Sequence, residues 1–129
     1  METPAALDPK AAVERTLDIL SHEVRADVLL VLHNGALVAQ RSSFPINRID
    51  AFVELLRRWS EVANQMAAFL GEAYGRFRQF HFEGERYHVY EFDVNDNVAL
   101  IVVCRTDVSF GTIRLAIKTA SADIAKYLR

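Results

Sequence analysis

Residues 26–38 read Ala-Asp-Val-Leu-Leu-Val-Leu-His-Asn-Gly-Ala-Leu-Val. The run Val28-Leu29-Leu30-Val31-Leu32 is short, almost continuously apolar and rich in strand formers, as a strand covered on both faces should be. His33-Asn34-Gly35 interrupts it, and Ala36-Leu37-Val38-Ala39 resumes the apolar pattern. Asn-Gly between two apolar runs marks a hairpin, because both residues tolerate positive φ.

Working outward, Asp8-Pro9 reads as a helix start. Asp8 can accept from the orphan amides, and proline at the first helical position loses no bond. Val13, Leu17, Leu20 and Val24 then recur at helical spacing and give one apolar stripe. Downstream of the hairpin, residues 41–48 read as a loop in which Asn47 caps a second helix, with Asp50 in the capping-box position. That helix is expected to run to Gly71, which can terminate it.

The second helix has an unusual apolar content. Ile49, Phe52, Val53, Leu55, Leu56, Trp59, Val62, Ala63, Met66, Ala67, Phe69 and Leu70 cover an arc of roughly 200°, about twice an ordinary surface stripe. Glu54, Arg57, Arg58, Glu61, Asn64 and Gln65 mark the polar side. One sheet face cannot hide the whole arc. A fully internal helix would absorb it, but burial in an interface accounts for it better, since monomers seldom expose so large an apolar patch.

Residues 76–83 and 86–93 read as a second hairpin turning at Gly84-Glu85. A two-residue loop pairs Glu83 with Arg86, Phe82 with Tyr87, His81 with His88, Arg78 with Glu91 and Arg76 with Asp93, which sets opposite charges and aromatic partners across from each other. Residues 98–104 form the most apolar strand, suited to the centre of a sheet. Ser109 or Thr112 can cap a last helix with the stripe Ile113, Ile117, Ala120, Ile124 and Leu128. The order implies an α/β (α+β) domain: a five-stranded, mostly antiparallel sheet sandwiched between helices.

Composition narrows the function classes. The 129 residues suit one domain over residues 1–129, with 1–8 flexible, and 51% hydrophobic content supports a real core. A formal charge of −2 gives no basic excess for nucleic acid or anionic membrane. The longest apolar run falls far short of the ~20 residues of a membrane span. The N-terminus shows no basic or apolar leader, and the one cysteine, Cys104, lies in the apolar strand, so a reducing, cytoplasmic setting is expected.

Chemistry is sparse. No phosphate loop, Gly-x-Gly-x-x-Gly or paired-cysteine motif occurs. Ser42 and Ser43 suit turn formation, and His22 and His33 suit exposed positions at a helix end and a turn. His81 and His88 could contribute two imidazoles to zinc, with Glu83 a possible third ligand, but a structural site needs four ligands and a catalytic one three. The expectation is therefore no catalytic residue, no cofactor and no metal.

Taken together, the pattern resembles the roadblock/dynein light-chain family over about residues 17–128. The carriers are residues 26–38, the long alanine- and leucine-bearing helix, the turn Phe82-Glu83-Gly84, and Ser109-Phe110-Gly111-Thr112-Ile113-Arg114. Aromatics between Phe77 and Phe92 depart from the family's plainer aliphatics. The resemblance implies a homodimer with long helices side by side and third strands edge to edge, acting as a scaffold or regulator of a small Ras-like GTPase, with the role of a GTPase-activating partner among those it allows. The expected interface for the second copy or the partner comprises Phe52, Leu55, Leu56, Arg57, Arg58, Trp59, Val62, Ala63, Met66, Arg76, Phe77 and Arg78. A PAS-, GAF- or longin-like sensor stays open as the alternative; it would need a cavity beside the sheet, against which a bulky apolar interior argues. An enzyme lacks its nucleophile–base or metal set.

Overall fold

A computed structural model describes residues 8–129; the flexible leader expected over residues 1–8 lies outside them except for Asp8. The elements follow the order α1 (Pro9–Val24), β1 (Ala26–His33), β2 (Ala36–Ser42), α2 (Ile46–Leu70), β3 (Gln79–Glu83), β4 (Tyr87–Asp93), β5 (Val98–Arg105) and α3 (Phe110–Ala125), with a short 3-10 turn after α2. One sheet of order β2-β1-β5-β4-β3 holds all five strands, each antiparallel to its neighbour. This is the expected α+β sandwich. No described helix is long and apolar enough to cross a membrane.

The apolar runs of β1 and β5 follow from double-sided burial. Alternate residues point to opposite faces. Leu29, Val31, Leu100, Val102 and Cys104 meet Val13, Leu17, Leu20, Ile113, Ile117 and Ile124 of α1 and α3 on one side. Val28, Leu30, Leu32, Ile101 and Val103 meet Ile49, Val53 and Leu56 of α2 on the other. Cys104 is fully buried, as its setting in the sequence suggests.

Asn34 (φ 52) and Gly35 (φ 81) make the first hairpin turn with the positive φ that the Asn-Gly pair accommodates. Ser109 caps α3, its hydroxyl accepting from the Thr112 amide at 3.3 Å. Pro9 opens α1, but the Asp8 side chain makes no capping bond.

Three local expectations are corrected. First, β2 runs to Ser42, with Gln40, Arg41 and Ser42 pairing to Leu30, Leu29 and Val28, so ladder bonding extends into the stretch read as loop. Second, α2 begins after Pro45, whose carbonyl accepts from Arg48 and Ile49 at 3.0 and 3.2 Å. Proline holds the extended geometry of a cap, while the Asn47 side chain accepts only from the adjacent Arg48 amide.

Third, the second hairpin pairs two residues away from the expected register. Gln79 faces Phe92, Phe80 faces Glu91, His81 faces Tyr90 and Glu83 faces His88, and residues 76–78 precede the strand. The reason lies at Gly84, whose amide donates to the Tyr87 carbonyl at 2.8 Å. A Cβ there would come within 3.1 Å of the same oxygen, so this glycine allows close approach of two strands and the turn moves to Glu85-Arg86. A slip of two preserves every side chain's face while replacing its partners.

Ile101 is fully buried at the centre of β5, under α2. Ile101→Ala should cost about 2–5 kcal/mol through lost burial and the cavity left behind. Urea unfolding of the two proteins should show a lower midpoint with an unchanged slope.

Candidate functional site

α2 divides into a seated side, an exposed side and a flank. Ile49, Val53, Leu56 and Ala63 are buried. The expected interface residues Leu56 and Ala63 are therefore corrected: both lie on the seated side, committed to the chain's own interior. Exposed on the outer side are Leu55 (59%), Val62, Met66 and Phe69 (90%). With half-buried Phe52 and Trp59 these residues follow alternating steps of three and four, the spacing of a helix seam that packs against another helix.

Trp59 joins this seam to the sheet edge. Its ring meets Phe80 and Phe82 edge-on, with centroids 5.5 and 5.1 Å away, while its indole N–H is buried without a partner. Phe77 packs against Phe80 at 5.9 Å and is partly exposed. The outer face of α2 thus continues into an aromatic patch on edge strand β3, including Phe82, which the expected interface omitted.

The arginines divide differently. Arg57 donates through Nε to the Gly35 carbonyl at 2.8 Å and pairs with Glu54 at 3.2 Å, tying α2 to the first hairpin. Arg58 is 3.9 Å from Glu54 and largely exposed. Arg76 is ion-paired with Asp96, and exposed Arg78 uses its backbone carbonyl to accept from Asp93. Neither Arg76 nor Arg78 faces the strand partner expected for it.

Glu91 emerges from the register. Arg78 was its expected partner, but the structure sets it between Phe80 and Ile101. It is only 5% exposed, and one carboxylate oxygen has no hydrogen-bond partner. Burial, reinforced by Asp93, pushes its pKa up to about 7. Asp93 is also raised, by burial against the opposing pull of Arg76 and Arg78.

Beside Glu91 opens a cleft of about 480 Å³ between the flank of α2, the first hairpin and the β4–β5 turn. The expectation of an interior with no cavity beside the sheet is thus corrected: one helix leaves part of that sheet face uncovered.

On the opposite face, His81 and His88 share a 2.7 Å nitrogen–nitrogen hydrogen bond, although they are diagonal rather than directly opposite. Their surroundings are aromatic: His81 stacks on Tyr90 at 4.3 Å and meets Phe110 edge-on at 4.8 Å. Burial, then His88, lowers the His81 pKa, with Glu83 opposing. Among the described residues no group of three histidine, cysteine or carboxylate side chains is placed to hold a metal ion. His33 is half-buried, its Nε2 bonded to the Arg129 carbonyl at 2.9 Å, where an exposed turn was expected.

Neither a family profile nor a curated relative matches the sequence. Solved structures do match the fold. The gliding protein MglB from Thermus thermophilus is 23% identical, with 99% of this chain and 98% of that chain covered at a TM-score of 0.82. MglB with a tetrameric arrangement is 22% identical over 99% and 97% of the two chains, again at 0.82. A Roadblock/LC7 domain from Streptomyces avermitilis is 12% identical over 88% and 95%, at 0.71. The chain has the roadblock fold.

Glu91→Gln should remove a carboxylate that is costly to ionise. Because its folded-state pKa lies above the ordinary 4.5, the native protein loses stability as pH rises from about 4.5 to 7 and stays at the lower level above that. The variant should melt a few degrees higher than wild type at pH 8 and match it at pH 4. Thermal melts followed by circular dichroism at both values check this; equal melting points at pH 8 would refute it.

Proposed function

We propose that the chain forms a homodimer through the outer face of α2, and that the dimer is a non-enzymatic regulator or scaffold of a small Ras-like GTPase. The observation that carries the reading is the exposed seam Leu55-Val62-Met66-Phe69, continued by Trp59, Phe80 and Phe82. A surface of this kind is costly to leave in water. A second copy presents the same seam, so a two-fold contact covers both at once.

The GTPase half of the reading draws on the shared fold, together with a gliding protein among the structures similar to this chain. It supports action by binding: a broad apolar surface with Glu54 and Arg58 at its rim matches the anatomy of a protein interface. Preference for the GTP-bound state would come from contacts to loops that the γ-phosphate orders. Stimulated hydrolysis, the role of a GTPase-activating partner, would follow if those contacts also hold the GTPase's own catalytic groups in place.

Light scattering of the purified protein should report twice the 14.6 kDa chain mass. Leu55→Glu combined with Met66→Glu should halve that mass with an unchanged circular dichroism spectrum, because both side chains are exposed in the single chain. Trp59 is the poorer choice, since changing it also disturbs Phe80 and Phe82. A folded wild-type monomer at micromolar concentration would overturn the dimer.

Calorimetric titration with small GTPases from the same source should show binding to the GTP-analogue form and weaker binding to the GDP form. Arg58→Glu should weaken that binding most at low salt, where rim charges steer association. No heat with any of them would overturn the partner assignment while leaving the dimer standing.

A further inference from the structure

We propose that the cleft beside Glu91 is a binding site for a guanidinium group, held by the Glu91 carboxylate at its floor and by the rings of Phe77 and Phe80 along its wall. This site does not depend on the function proposed above, because its α2 residues lie on a different side of that helix from the seam, although Phe80 borders both. At 100° per residue, Arg57, Ser60, Glu61 and Asn64 stand roughly 120–180° around the helix from Leu55.

The first reason is charge. The cleft contains four carboxylates, Glu61, Glu91, Asp93 and Asp96, and two cations, Arg57 and Arg76. Both cations are already engaged, Arg57 by Gly35 and Glu54 and Arg76 by Asp96. The charged group acting on Glu91 is another acid, Asp93. An anionic ligand would meet net repulsion.

The second reason is the state of Glu91 itself. A carboxylate on a residue only 5% exposed, with one buried oxygen unpartnered, forfeits charge-assisted hydrogen bonds roughly twice as strong as neutral ones. Burial without compensation suits a group awaiting a donor.

The third reason selects among cations. A divalent metal requires several donors, and no group of three histidine, cysteine or carboxylate side chains is placed to hold one among the described residues. A guanidinium needs fewer: its planar fork meets a single carboxylate, and its faces stack on aromatic rings. Phe77 and Phe80 line the cleft together with Glu91. Its volume of about 480 Å³ accommodates an arginine-sized molecule.

The test is calorimetric titration of the purified full chain with N-acetyl-arginine amide, agmatine and N-acetyl-citrulline amide; the last replaces the guanidinium by a neutral urea of the same shape. Either guanidinium compound should bind saturably, and the citrulline compound should bind at least about tenfold more weakly. Tighter binding of the acetyl-arginine amide assigns the site to an arginine side chain of a protein, and tighter binding of agmatine to a free small molecule. Glu91→Gln, which should fold at least as well as wild type, should weaken binding at least about tenfold, and Asp93→Asn should weaken it less.

Affinity should also be several-fold higher at pH 8 than at pH 6, as Glu91 ionises. The charged groups facing it are Arg57 and Glu61 on α2, Arg76 before β3, and Asp93 and Asp96 around the β4–β5 turn. No saturable binding below ~10 mM, equal binding of the citrulline compound, or undiminished binding by Glu91→Gln would each overturn the proposal.

Discussion

β1 and β5 are apolar on both faces, and everything else in the molecule answers the need to cover them. Five strands at ~4.8 Å spacing make a sheet about 20–24 Å wide, whereas a helix with its side chains is about 10–12 Å across. On one face α1 and α3 lie side by side and close the width. On the other, α2 works alone and buries Ile49, Val53, Leu56 and Ala63. Half the width of that face is therefore left to other devices. Trp59 and the phenylalanines of β3 fill some of it, the cleft occupies another part, and the surplus apolar side of α2 turns outward. Seam and cleft are two results of one shortfall.

This arrangement also explains where polar groups are tolerated. The α1–α3 side accepts the histidine pair because each ring satisfies the other and both lie against aromatic surface. Under α2 the covering is looser, and Glu91 resides there with its charge uncompensated. Groups that oppose folding are retained more readily where packing is incomplete, and such places are where a ligand gains most by binding.

Periodicity reveals the backbone of this fold because it depends on local chemistry. The stripe Val13-Leu17-Leu20-Val24, the Asn34-Gly35 turn and the run over residues 98–104 each carry their own signal. The long helix is legible as carrying too much apolar surface, although the pattern cannot separate Leu56 and Ala63, which seat it, from Leu55 and Val62, which face outward. The second hairpin misleads because Gly84 has two possible uses, a turn residue or a close approach, and the plausible charge pairs of the wrong register conceal Glu91. Its exposure to an apolar layer depends on which residue lies across the ladder, a long-range fact. The cleft is invisible in the sequence for the same reason: it is the difference between two widths, not a property of any stretch of chain.

Cys104 is the single thiol of the sequence, fully buried in β5 and pushed up to about 11 by its surroundings. A thiol that neither ionises nor meets solvent reacts slowly with maleimides or nitroxide reagents. The native chain is thus already a silent background for site-directed labelling. A cysteine introduced on the outer face of α2 or at the mouth of the cleft would take up a spin label or fluorophore alone, so distances across an assembly could be read without altering the core.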